Sequence, residues 1–279
     1  MVVHLLDGTY ELFRHFYGLR RFTKGEDPPF GAVIGVLRTV LQMVETGATH
    51  VGVATDHVIE SFRNRLWEGY KTGEGVERAL IAQFHPLEQG LAAMGVAVWP
   101  MVELEADDAL ASAAALASRN AEVEKICIWT PDKDLAQCVR GDRVVQVDRR
   151  GNKIRDAAGI REKFGVDPER IPDYLALVGD SADGYPGVAG IGAVTAAQLV
   201  NRYGRIEEFP AEVLGDEKRR LALLFKDLAT LREDAPLFQS VEELRWRGAR
   251  ADFRAFAERI GEPRLVERCE KAIATLAGT

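Results

Sequence analysis

At 279 residues, 47% hydrophobic and 28% charged, the chain has the length and balance of one large globular domain or of a domain with an appendage, which excludes a disordered or fibrous protein. The net charge of −7 gives no support to a polyanionic ligand, and no apolar stretch reaches the length of a membrane-spanning helix. Cys127, Cys138 and Cys269 are odd in number and lack metal-ligand spacing, and MVVHLLDGTYELFRH meets an acid at Asp7, so a cytoplasmic setting without signal peptide or anchor is expected.

Taken in chain order, short β-rich runs fall at 2–6 (VVHLL), 50–55 (HVGVAT), 96–99 (VAVW), 125–130 (KICIWT) and 143–147 (RVVQV). Between several of them lie segments of helical periodicity. In 31–46, Val33, Leu37, Val40, Leu41 and Val44 share one face. Strands alternating with helices predict an α/β fold with a mainly parallel central sheet covered by helices. From about residue 170 the pattern changes to helices alone, in IPDYLALVGD, VTAAQLVNRY, EKRRLALLFKDLATL and ADFRAFAERIG. The expected division is therefore an α/β core over 1–170 and a helical region over 171–279.

Nine carboxylates in five clusters follow the apolar runs or open helices: Asp7; Asp56; Glu105, Asp107 and Asp108; Asp132 and Asp134; Asp180 and Asp183. An open α/β sheet gathers its strand ends on one edge, so these acids are expected to converge. Two like charges at 4 Å repel by about 1 kcal/mol in water and about 4 at an effective dielectric of 20, so such a cluster needs hard cations. Oxygen-only ligation points to Mg²⁺ or Mn²⁺, and a carboxylate-bound pair of ions suits phosphodiester hydrolysis. Without the nine, 36 basic residues face 34 acidic ones, so net charge no longer opposes a nucleic-acid substrate.

Each cluster also has a plainer role open to it. Asp7-Gly8 is a common turn pair, and LLDGT lacks the acid at Leu5 that a haloacid dehalogenase signature requires. Glu105, Asp107 and Asp108 open a helix and could serve as caps, although three acids exceed what capping needs. Asp132 fits an N-cap. The stretch GDSADGYPGVAGIGAVTAAQLV crowds Gly184, Gly187, Gly190 and Gly192 around Pro186 before a helix, as a hairpin gripping a nucleic-acid backbone would, or as a structural hairpin would. Residues 57–76 interleave Arg63, Arg65 and Lys71 with Phe62, Trp67 and Tyr70; either a single strand binds there or the aromatics tuck onto the core.

In this order LLDGTYELFRHF, FGAVIGVL, SFRNRLWEGYK, ELEADDALA, TPDKDLAQ and DYLALVGDSADGYPGVAGIG resemble the bacterial 5′→3′ exonuclease and flap endonuclease family, which includes the 5′-nuclease domain of DNA polymerase I. The likeness covers nearly the whole chain, which is similar to a free-standing member. It implies a PIN-like nuclease core with an arch at 57–85 and a helix-hairpin-helix at 172–202 that is often K⁺-bound. Two divalent ions are implied, one held by Asp7, Asp56, Glu105, Asp107 and Asp108, the other by Asp132, Asp134, Asp180 and Asp183. Arg14 and Lys71 match the cations that hold the scissile phosphate, and Tyr70 an aromatic that stacks on a terminal base. Arg63, Arg78, Gly187, Gly190 and Gly192 are the further DNA contacts expected. Partners are then duplex, nicked or flapped DNA, or RNA–DNA hybrids, bound by a monomer.

The chain departs from that pattern in places. Glu74 stands where the family commonly has an arginine, and Arg78 would replace it if 71–78 were helical. Val194 stands in place of a hairpin lysine, Pro131 of a glycine and Gly184 of an asparagine. Three rival functions are an RNA-primer-removing relative, a non-catalytic DNA-junction-binding protein and a small-molecule phosphohydrolase.

Overall fold

Five apolar runs become neighbouring parallel strands: β1 (Val2–Asp7), β2 (His50–Asp56), β3 (Ala97–Met101), β4 (Lys125–Trp129) and β5 (Val144–Asp148). The computed structural model describes residues 1–23, 28–151 and 153–277. The sheet order is β3-β2-β1-β4-β5-β6, in which β6 (Lys153–Arg155) is a short antiparallel edge strand that no period-2 apolar pattern announces. A parallel sheet is covered on both faces, which is why its strands read as continuous apolar runs. Leu5 and Leu6 illustrate this: both are wholly buried, and they enter different cores on the two sides.

One face carries α1 (Gly8–Thr23) and α2 (Gly31–Glu45). The stripe expected from sequence is confirmed, since Val33, Leu37, Val40, Leu41 and Val44 are all buried. Each such side chain contributes roughly 1.5–3 kcal/mol. Three further helices lie between β2 and β3: the single turns α3 (Arg63–Leu66) and α4 (Arg78–Ile81), then α5 (Phe84–Ala93). The opposite face carries α6 (Ala106–Ser118), whose Ala109, Ala113 and Ala117 are fully buried and allow close approach to the sheet. Gly8 permits a similar closeness, because a Cβ there would lie 2.8 Å from Thr55 and Val53 side-chain carbons.

After β6 the chain is helical: α7 (Ala157–Phe164), α8 (Ile171–Val178), α9 (Ala193–Tyr203) and α10 (Ala211–Ala229). The last three enclose a second core around Leu175, Leu177, Val200 and Phe225. Over 172–202, where a helix-hairpin-helix is expected, the structure has α8, a turn and α9.

The expected single helical region over 171–279 divides, however. Beyond α10, Leu231, Val241 and Leu244 join the core on the α6 face, while α11 (Phe253–Arg259) and α12 (Arg264–Ala277) bury Phe253, Phe256, Leu265 and Cys269 against α2 and α5. Trp246 anchors the return, its backbone N–H donating to the Thr49 carbonyl and its indole N–H to that of Met94. Local periodicity announces a helix but not the layer it packs on, so composition alone misplaces this segment. Cys127, Cys138 and Cys269 are buried and unpaired. Among the described residues no helix is long and apolar enough to cross a membrane.

Candidate metal centre

The strand order reverses between β1 and β4, and in such sheets the crevice opens at the carboxyl ends beside that switch point. Asp7 ends β1, Asp56 ends β2, Asp107 lies in the first turn of α6, and Asp132 follows β4. Together with Asp183 and Lys71 they line one cavity of about 340 Å³, whose other wall is Tyr10, Phe13, Ile59 and Val76. Five acids from five segments therefore line one cavity.

Backbone donors aim these carboxylates. Asp7 accepts from the Tyr10 N–H at 2.8 Å and from the Thr130 hydroxyl at 3.0 Å. Asp56 accepts from the Ala106 N–H at 2.8 Å, while its own N–H donates to the Thr9 hydroxyl oxygen at 2.8 Å. Asp132 accepts from the Asp134 N–H at 3.0 Å. Burial pushes the Asp7 carboxyl up to about 7, helped by Asp56 and Asp132 and opposed by its two donors. Burial likewise raises Asp107 well above the carboxylate range, with Asp132 and Asp7 adding to it.

A second group adjoins the first. Asp134, Asp180 and Asp183 each place an oxygen within 4.8 Å of the others. A 3-10 turn at Asp134–Cys138 supplies the first, and the turn after α8 supplies the other two. That turn is drawn tight where Gly179 and Gly187, at φ +87° and +72°, press backbone on backbone: a Cβ on Gly187 would lie 2.4 Å from the Gly179 nitrogen. Burial raises Asp134 well above its ordinary value, and Asp132, Asp183 and Asp180 raise it further. Its Oδ1 is buried with no hydrogen-bond partner. An orphaned carboxyl oxygen facing two more carboxylates is what a divalent cation fits.

Lys71 is the cation of the cavity. Its ammonium lies 2.9 Å from both Glu105 and Asp183, and although burial opposes its charge, those acids hold it protonated. Glu105 is buried behind it, accepting also from the Ser61 hydroxyl at 2.6 Å and the Tyr70 hydroxyl at 3.3 Å.

Several expected roles are corrected. Asp108 does not face the cavity: it is 0% exposed, takes both Arg63 guanidinium nitrogens at 2.7 and 2.8 Å, and accepts from the Glu105 and Arg232 N–H groups. Two consecutive residues of a helix point about 100° apart, so Asp107 and Asp108 cannot both line the site. Arg63, 1% exposed, is accordingly not placed to meet DNA; it ties Asp108 to the Leu228 and Thr230 carbonyls of the helical region. Tyr70 is 3% exposed and offers no open face for stacking. Arg78 is exposed, but 71–77 is not helical, so it does not share a helix face with Lys71. Arg14 pairs with buried Glu11 at 2.5 Å and does not line the cavity. Gly187 is buried in the turn, whereas Gly190 and Gly192 are exposed at the start of α9.

Thr9, Thr130 and the apolar wall were not singled out in the sequence. Thr9 and Thr130 stand inside the acidic motifs and could have been suspected as aiming groups. Ile59 and Val76 carry no local signal.

Two family models match in succession: "5′-3′ exonuclease, N-terminal resolvase-like domain" over residues 2–165 and "5′-3′ exonuclease, C-terminal SAM fold" over 166–252. DNA polymerase I of Bacillus caldotenax is 30% identical over 99% of this chain, which spans 34% of that protein. The 5′-3′ exonuclease of Aquifex aeolicus is 29% identical over 87% of this chain and 86% of its own length. A flap endonuclease of bacteriophage T5, solved with DNA and metal ions, shares the fold at a TM-score of 0.62 and 19% identity, over 99% of this chain and 93% of that one.

Proposed function

This chain belongs to the 5′-3′ exonuclease family, and from that premise we propose that it is a metal-dependent 5′→3′ exonuclease and flap endonuclease acting on DNA near 5′ ends or junctions. The observation that carries this reading is the meeting of Asp7, Asp56, Asp107, Asp132 and Asp183 around one cavity, with Asp134 and Asp180 adjoining. So many buried acids are costly for a protein that only binds junctions, which favours catalysis over a passive role.

Asp7, Asp56 and Asp107 would hold one divalent ion, with Glu105 beside them; Asp134, Asp180 and Asp183 would hold the other, and Asp132 lies between. Mg²⁺ or Mn²⁺, when bound, supplies Lewis-acid polarisation of the phosphate and a more acidic water. Lys71, which points its ammonium into the cavity, is placed to pair with a phosphoryl oxygen once cations take over the acids. Arg14, 29% exposed, would reach a phosphate only by leaving Glu11. Phe13, Ile59 and Val76 form the apolar wall of the cavity. Exposed Gly190 and Gly192 at the start of α9 suit a backbone contact to the duplex, with K⁺ at this hairpin as the resemblance implies.

Cleavage of 5′-labelled flap, nicked and blunt DNA, with matched RNA 5′ strands, tests this. Release of short 5′ products that requires Mg²⁺ or Mn²⁺ and disappears in Asp132→Ala protein is expected. Product release in EDTA would refute the reaction proposed.

A further inference from the structure

A strip of cations flanks the acid cavity on the side of the β5–β6 hairpin. The hairpin leaves the carboxyl end of β5, the sheet edge on which Asp7, Asp56 and Asp132 lie. Its residues Arg149, Arg150, Lys153 and Arg155, with Lys163 on α7, bring five positive side chains to that edge. None of Arg149, Arg150, Lys153 and Lys163 forms an ion pair with a described residue, although the chain as a whole is acidic. Arg155 has a buried guanidinium nitrogen, Nη1, with no acceptor, and lies cross-strand from Gln146, whose amide donates to the Asp132 carbonyl. The hairpin base therefore touches the loop that carries a cavity acid. At the other end, Arg149 lies over the Trp129 ring at 5.4 Å. Arg150 approaches Tyr10 of the cavity wall, whose phenol burial pushes up and Arg150 draws back down.

We propose that this strip is the track on which the phosphodiester backbone of a nucleic-acid strand lies as it enters the cavity. Deepening the nuclease reading on which it rests, the strip supplies cations in a chain that holds Glu74 and Val194 at two positions where the resemblance implies bases. Acids within and bases alongside give the polarity such a substrate needs: metal-bound phosphate at the centre, salt-sensitive backbone contacts at the flank. A plainer role for the same residues is to blunt an exposed edge strand, where Ile154 is 65% exposed.

The test measures binding of labelled flap DNA across salt concentrations, with Ca²⁺ replacing Mg²⁺, and steady-state cleavage in Mg²⁺. Arg149→Ala/Arg150→Ala removes two contacts and is expected to make the slope of log K against log salt shallower by about 1.8. Wild-type protein then loses about 12-fold more affinity than the variant between 50 and 200 mM salt. KM should rise more than kcat falls. Arg150→Glu/Lys153→Glu, both exposed positions, repeats the test without disturbing Trp129. Arg250→Ala/Arg254→Ala, near the amino edge of the sheet, should bind as wild type does. Unchanged slope and affinity in both hairpin variants, alongside active wild-type protein, overturns the track and leaves the edge-blunting role. An equal change in the distal pair also overturns it. Wild-type protein that neither binds nor cleaves DNA instead overturns the nuclease reading itself.

Discussion

Asp134→Asn separates the cost of the acidic cluster from its use. Asp134 shares a 4.8 Å neighbourhood with Asp180 and Asp183, and its Oδ1 is buried without a partner. Two unit charges at that spacing repel by about 3.5 kcal/mol at an effective dielectric of 20. Lys133, 2.8 Å from Asp180, and Lys71, 2.9 Å from Asp183, offset much of this, and Asp134 relieves more by holding its proton. Removing the charge should therefore stabilise the metal-free protein by roughly 1–2 kcal/mol at pH 8. For a chain of this size that raises Tm by about 2–8 °C. Because the folded-state pKa is raised, the penalty grows as pH climbs from the ordinary value of 3.8 through the raised one. The variant's advantage should thus vanish near pH 4. In saturating Mg²⁺ the order reverses, since an ion at 100 times its Kd stabilises wild-type protein by about 2.7 kcal/mol and the variant holds it less well. Thermal unfolding at pH 4 and pH 8, in EDTA and in Mg²⁺, measures all four cases. An Asn variant that is less stable than wild type in EDTA at pH 8 would refute the reasoning.

Three other outcomes are expected. Asp108→Ala should cost about 3–5 kcal/mol in denaturant unfolding, because it strands the buried Arg63 charge; a loss below 1 kcal/mol would contradict the buried pair. Divalent-ion uptake should release protons at pH 6, where Asp7, raised to about 7, is largely protonated, and release fewer from that group at pH 8; calorimetry in two buffers of different ionisation enthalpy reads the difference. Lys71→Ala should lower kcat at least 100-fold, as loss of an electrostatic donor commonly does, while DNA affinity changes less; equal losses in binding and turnover would contradict a role at the reacting phosphate.

The strands and the acids were legible because both follow from one fact: buried parallel strands are apolar throughout, and what ends each of them faces a common edge. That is how Asp7, Asp56 and Asp132 could be grouped from sequence although they are distant in the chain. Motif position also carried Lys71 to the cavity. Direction within a motif was not legible. Asp107 and Asp108 are adjacent letters, yet a helix turns one into the site and the other onto Arg63. Arg63 and Tyr70 show the same limit: interleaved bases and aromatics suited a strand-binding surface equally well as a segment tucked inward, and the structure buries both. The last forty residues read as part of the helical region because an amphipathic face does not name its partner; α12 meets α2 on the far side of the sheet's own core.

Mn²⁺ located by its anomalous scattering in crystals of the wild-type protein tests the central claim most directly. Two ions are predicted, one contacting Asp7, Asp56 or Asp107, the other Asp134, Asp180 or Asp183, with Asp108 contacting neither. An acidic cavity that takes up no Mn²⁺ at millimolar concentration and neutral pH would contradict the account.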